Sequence, residues 1–171
     1  LQFEGTHPFP VTLASPGIMG WYGYVPFMEC YHGVVSMQHQ VTGSLSVNGN
    51  EVGFDGGKGY IEKDWGRSMP SDWIWIQSNH FQQDPGASLM ISLARIPWLT
   101  GHFPGFLSFL LADGKLYRFA TYNRSQVERL EVTEEHVAFV LKNRKYSLNV
   151  HALISDGGVL KAPRHGAMDR E

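Results

Sequence analysis

Short alternating runs separated by turn residues fill this chain, and that pattern restricts it to antiparallel β architectures. Ser44-Leu45-Ser46-Val47 alternates, Asn48-Gly49-Asn50 reads as a tight turn, and Glu51 to Phe54 resumes as the hairpin partner. Phe106 to Ala112 and Leu116 to Thr121 flank Asp113-Gly114 in the same way. Val137 to Leu141 precedes a polar turn at Lys142 to Lys145, after which Tyr146, Leu148, Val150 and Ala152 alternate with Ser147, Asn149 and His151. Only Ser125 to His136 is charged enough to read as helix, and its Val127, Leu130 and Val132 suit a strand as well. Nineteen glycines interrupt any long helix. Regularly spaced strands without intervening helices predict an all-β meander closing into a barrel or sandwich.

Composition narrows the class. A length of 171 residues predicts one domain or parts of two, and 43% hydrophobic against 18% charged residues predicts a packed core. Net charge is -2, and the basic residues Lys142, Arg144 and Lys145 are scattered, which argues against a nucleic-acid partner. The longest apolar stretch, Phe106 to Ala112, falls well short of the roughly 20 residues of a membrane helix, so no transmembrane segment is expected. Cys30 is the single cysteine and cannot form an internal disulfide, and no basic stretch leads into an apolar one, so a signal peptide is expected to be absent or already removed and a reducing cytoplasm fits.

Chemistry concentrates in Gly59-Tyr60-Ile61-Glu62-Lys63-Asp64-Trp65-Gly66-Arg67-Ser68 and in Trp73-Ile74-Trp75-Ile76-Gln77-Ser78-Asn79-His80-Phe81. In an extended chain Tyr60, Glu62 and Asp64 share one face, and Trp73, Trp75, Gln77 and Asn79 share another. Aromatic and hydrogen-bonding side chains mixed in this way line ligand pockets. Two neighbouring carboxylates among aromatics split their pKa values, leaving one as acid and the other as base or charge stabiliser. Asp64 or Glu62 is the candidate proton donor, with His32 and Tyr60 as relay. The competing structural reading pairs one carboxylate with Lys63 or Arg67 at a rim and gives His32 a backbone carbonyl. Trp73, Trp75, Gln77, Asn79, Glu29 and Trp65 form the candidate ligand-binding set. Cys30 and His32, next but one on a strand, are too far apart for direct proton transfer, so Cys30 reads as a small buried hydrophobe. No histidine spacing matches a metal-ligand pair, and neither metal nor cofactor is expected.

The blocks Phe27-Met28-Glu29-Cys30-Tyr31-His32-Gly33-Val34-Val35-Ser36 and Gly59 to Gly66, with Trp73-x-Trp75-x-Gln77-x-Asn79, resemble the tocopherol cyclase family. Leu160-Lys161-Ala162-Pro163, with Gly166, Met168 and Arg170, is similar to that family's downstream motif. More distantly, His32 followed by Tyr60-Ile61-Glu62 is similar in order to lipocalin-like carotenoid hydratases, although Val34 stands where those carry an aromatic. The resemblance implies lipocalin-like antiparallel β-barrels and a hydrophobic isoprenoid or polyene as ligand. It also implies acid-assisted cyclisation or hydration of an alkene. The rival is a non-catalytic lipophile carrier or stress-related binding protein. Family members extend further on both sides, so residues 1–70 are expected to end a first barrel and 71–171 to begin a second, joined near Met69-Pro70-Ser71. Open sheet edges are then expected to be covered by another copy of the chain, as a homo-oligomer, or by a further segment.

Overall fold

A computed structural model describes residues 1–26, 28–67, 70, 72–98, 101–155, 157, 160–161 and 167–168, with backbone alone at 97–98, 160–161 and 167–168. Met69 and Ser71 of the expected joint lie outside the described residues, as do Phe27, Ala162, Pro163, Gly166 and Arg170. The strands in chain order are β1 (Gln2–Glu4), β2 (Cys30–Thr42), β3 (Ser44–Val47), β4 (Asn50–Gly53), β5 (Gly57–Gly66), β6 (Trp73–Ser78), β7 (Ser88–Trp98) and β8 (Gly101–Ala112). They continue with β9 (Lys115–Ala120), β10 (Gln126–Val132), β11 (His136–Lys142), β12 (Ser147–Leu153), β13 (Leu160–Lys161) and β14 (Ala167–Met168). Two short 3-10 turns, Gly20–Tyr24 and Thr121–Asn123, are the only helical pieces among the described residues. The architecture is all-β and antiparallel, and among the described residues no sheet closes on itself. Two compact units divide the chain, Leu1–Arg118 and Phe119–Glu171.

The first unit is organised by one long hairpin. β2 pairs with β5 from Cys30↔Gly66 to Val41↔Gly57, and β3 with β4 from Ser44↔Gly53 to Val47↔Asn50, so the second pairing continues the first. Between them, Phe54 N–H donates to Gly43 O at 2.8 Å and Gly43 N–H to Asp55 Oδ1 at 2.8 Å. The turn is Asn48-Gly49, at φ 52° and 83°, the left-handed pair that suits the twist of a hairpin. Asp113-Gly114, at 50° and 67°, makes the equivalent turn between β8 and β9. Register shifts between Val34/Ser36 and Ser36/His39 insert extra residues into β2, and as a result the adjacent Ser36 and Met37 are both buried.

A second sheet runs in the order β6-β7-β8-β9. Its rungs include Gln77↔Met90↔Phe109, Trp75↔Ser92↔Leu107 and Trp73↔Ala94↔Gly105. The core joins both sheets: Val34 and Met37 from β2 pack with Met90, Phe109 and Leu111, and Phe9 and Ile18 close the cluster. Tyr60, Met19, Leu107 and Leu116 pack against it. Phe9 meets Phe109 edge-on at 4.8 Å, and a ring buried as fully as Phe109 contributes roughly 1.5–3 kcal/mol.

The second unit contains the meander β10-β11-β12. The charged stretch that could have been helix is strand, bent by a bulge between Glu128 and Glu131 where Arg129 takes φ 55°. Val137, Phe139 and Leu141, alternate residues of β11, are buried together with Val150 of β12.

Candidate active site

His32 on β2 stands directly across from Asp64 on β5, with Glu62 diagonal to it on the same face. His32 Nε2 lies 3.0 Å from Glu62 Oε2, and His32 Nδ1 lies 3.4 Å from Asp64 Oδ1, so the imidazole is gripped from both sides. Tyr60 Oη donates to Glu62 Oε2 at 2.7 Å, as the shared face of Tyr60 and Glu62 requires. Trp75 reaches in from β6 with a further hydrogen bond to Glu62. His32 is placed by its backbone as well, because its N–H donates to the thioether Sδ of Met19 at 3.3 Å. Only 12% of the His32 side chain and 19% of Glu62 are exposed, against 35% of Asp64, so Asp64 is the member open to an incoming molecule.

The two carboxyls are driven apart in acidity. Burial raises Glu62, but hydrogen bonds from His32, Tyr60 and Trp75 outweigh it and leave the group below its ordinary pKa. Asp64 is raised, first by burial and then by the charge of Glu62, with His32 opposing in part. Tyr60 is raised far above the ordinary phenol value, first by burial and then by its bond to Glu62 and the charge of both carboxylates, so it stays a donor. Burial and the Asp64 charge push the Cys30 thiol up to about 11, which keeps it protonated and unsuited to nucleophilic attack.

His32, Tyr60, Glu62, Asp64 and Trp75 are thus brought together. Trp73, Trp75 and Gln77 share one face of β6, as alternation requires, and the Gln77 amide nitrogen is buried with no hydrogen-bond partner among the described residues. Asn79 follows that strand and is buried. Trp65 falls on the opposite face of β5 from the acids, stacked on Tyr31 at 5.6 Å with Lys63 Nζ 4.7 Å from its ring. Glu29 is exposed, and its carbonyl takes the N–H of Arg67 at 2.7 Å. Neither Trp65 nor Glu29 joins the acid group. Among the described residues no set of three or more His, Cys, Asp or Glu is arranged around a metal position, and no helix is long and apolar enough to cross a membrane.

Sequence reasoning missed Met19, Val25 and Phe103. Met19 holds His32, while Val25 and Phe103, with Trp21 and Tyr22, line a pocket of about 310 Å³. One signal was available: from Gly5 to Met28 the sequence contains no Asp, Glu, Lys or Arg.

The family described as tocopherol cyclase-like matches residues 10–169. The chain is similar to a chloroplastic tocopherol cyclase of Zea mays, 36% identical over 74 residues, covering 43% of this chain and 15% of that protein. It is also similar to a probable chloroplastic tocopherol cyclase of Oryza sativa subsp. japonica, 28% identical over 119 residues, covering 66% of this chain and 24% of that protein. The matched stretches therefore span less than a quarter of either relative's length. No solved structure matches the chain.

Proposed function

The chain belongs to the tocopherol cyclase-like family, and from that premise we propose that it binds a hydrophobic isoprenoid or polyene and closes a ring on it by protonating an alkene. The proton leaves the Asp64 carboxyl, and the alkene π pair forms the new C–H bond. The resulting cation is held opposite the ionised Glu62 and the Trp75 ring. A substrate hydroxyl oxygen then closes the ring with a lone pair and surrenders its proton, which returns to Asp64. Atoms and electrons balance without a co-reactant, and hydration differs only in that water supplies the oxygen. His32 keeps both carboxylates in place, and Tyr60 and Trp75 keep Glu62 ionised.

The observation that carries this reading is the split itself: two carboxyls on one strand face, bridged by one imidazole, with Asp64 pushed toward the neutral form and Glu62 toward the charged one. The test is turnover of a prenylated hydroquinone by wild type and by Asp64→Asn. A loss of about 10²- to 10⁴-fold is expected, the usual share of a general acid. Unchanged turnover in the variant would remove Asp64 as the donor.

A second reading, a lipophile carrier without catalysis, is favoured by one observation: the aromatic pocket is lined by Trp21, Tyr22, Val25 and Phe103 and by none of the acid group. Wild-type protein that binds such lipids and converts none of them would put the carrier first.

A further inference from the structure

We infer that the pocket formed by Trp21, Tyr22, Val25 and Phe103 is the seat of the ligand's hydrocarbon arm, while its oxygen-bearing end lies toward the carboxylates. The assignment rests on the ligand being the greasy amphiphile proposed above. The pocket has the volume of a small ligand site, about 310 Å³ against the usual range of roughly 300–1,000 Å³. Its walls are ring faces: Trp21 stacks on Tyr22 at 4.0 Å, and Tyr22 on Phe103 at 6.2 Å, each pair 22° from parallel. Among the described residues no charged side chain lines it, and the segment supplying Trp21, Tyr22 and Val25 lies inside the run from Gly5 to Met28 that contains no Asp, Glu, Lys or Arg. An anion finds no cationic side chain among these four, whereas an apolar chain gains ring contact along its length.

Two sets of links tie the walls of the pocket to the strands that carry the acid group. On one side, Tyr31 Oη donates to Val25 O at 2.9 Å, and the next residue, His32, gives its backbone N–H to Met19 Sδ, so the pocket segment is tied to β2 at the residue that holds the two carboxylates. On the other side, Phe103 shares a sheet face with Trp73 and Trp75, because β8 pairs Phe103↔Ile96 and Gly105↔Ala94, and β6 pairs Trp73↔Ala94 and Trp75↔Ser92. On that face Ile96, Ala94 and Gly105 lie between Phe103 and Trp73, and Ser92 and Leu107 continue the rung of Trp75. The Ile96 side chain fills the space that a Cβ on Gly105 would take, with the Phe103 ring beside it. The Phe103 wall of the pocket is thus joined, through Ile96 and the small Ala94 and Gly105, to the sheet face that carries Trp75, whose indole bonds Glu62.

The test compares two probes that offer no alkene to protonate, a hydroquinone bearing a long saturated branched tail and methylhydroquinone, with binding read by calorimetry. Wild type binds the tailed probe more tightly than the tailless one. Phe103→Ala, which removes one ring wall, is expected to weaken the tailed probe about 10- to 100-fold and leave the tailless one unchanged. Val25→Trp fills the pocket instead of emptying it and must give the same selective loss; Val25 lies outside every strand, so the sheets survive the change. Wild-type affinity for the tailed probe in either variant, with unaltered circular dichroism, overturns the assignment. The cyclase reading fails separately: selective loss of the tailed probe in these variants, together with full turnover in Asp64→Asn, leaves the pocket standing and removes the acid.

Discussion

Glu62 and Asp64 lie two residues apart on one strand and titrate in opposite directions because only Glu62 is surrounded by donors. The signs differ accordingly. Glu62, held below its ordinary pKa, contributes stability above that ordinary value and loses it as pH falls through the lowered one; Asp64, held above, contributes below its ordinary value and loses it as pH rises through the raised one. Activity that needs Asp64 neutral and Glu62 charged is therefore expected to fall as pH drops through the lowered Glu62 pKa and as it rises through the raised Asp64 pKa. Glu62→Gln removes a charge that raises Asp64, so the Asp64 carboxyl is expected to titrate at lower pH, which carbon NMR of labelled aspartate reads without any turnover. An Asp64 titration unmoved by that change contradicts the coupling. Trp75→Phe keeps a ring but deletes the indole N–H, and the Glu62 titration is expected to move up in the same measurement.

Glycines mark the points where the elements approach one another. A Cβ on Gly66 would fall 2.1 Å from Glu29 O and 2.9 Å from Cys30 Cα, backbone atoms that cannot step aside. Gly66→Ala is expected to cost about 3 kcal/mol, seen as a lower denaturation midpoint at unchanged slope. Gly49→Val forces a β-branched residue into φ 83° and is expected to cost about 1–2 kcal/mol in the same assay. The turns at Asn48-Gly49 and Asp113-Gly114 were legible because left-handed backbone is a local demand with a local residue signature. The shared face of Tyr60, Glu62 and Asp64 was legible for the same reason. Cross-strand facts were not: nothing in the sequence near His32 says that β2 carries two register shifts, that Met19 caps its N–H, or that the indole of Trp75 ends on Glu62. Trp65, next to Asp64 in sequence, lies on the opposite face of the strand, as alternation predicts, and stacks on Tyr31.

Every residue assigned a role here, from Met19 to Phe103, belongs to the unit Leu1–Arg118. Within it, the acid group occupies the open end of the long hairpin, far along the ladder from Asn48-Gly49. That placement has a consequence in time. Pairing that spreads outward from the turn closes each new rung across a loop already held shut, so the entropic cost of setting Cys30 beside Gly66 is met in small increments. In that order of pairing, His32, Glu62 and Asp64 are among the last rungs to form, and a pause or slip anywhere between them and the turn delays them all. Ring-closing chemistry, if this chain performs it, begins only when the zip has run its full course, and it is the first capacity lost when the ends fray.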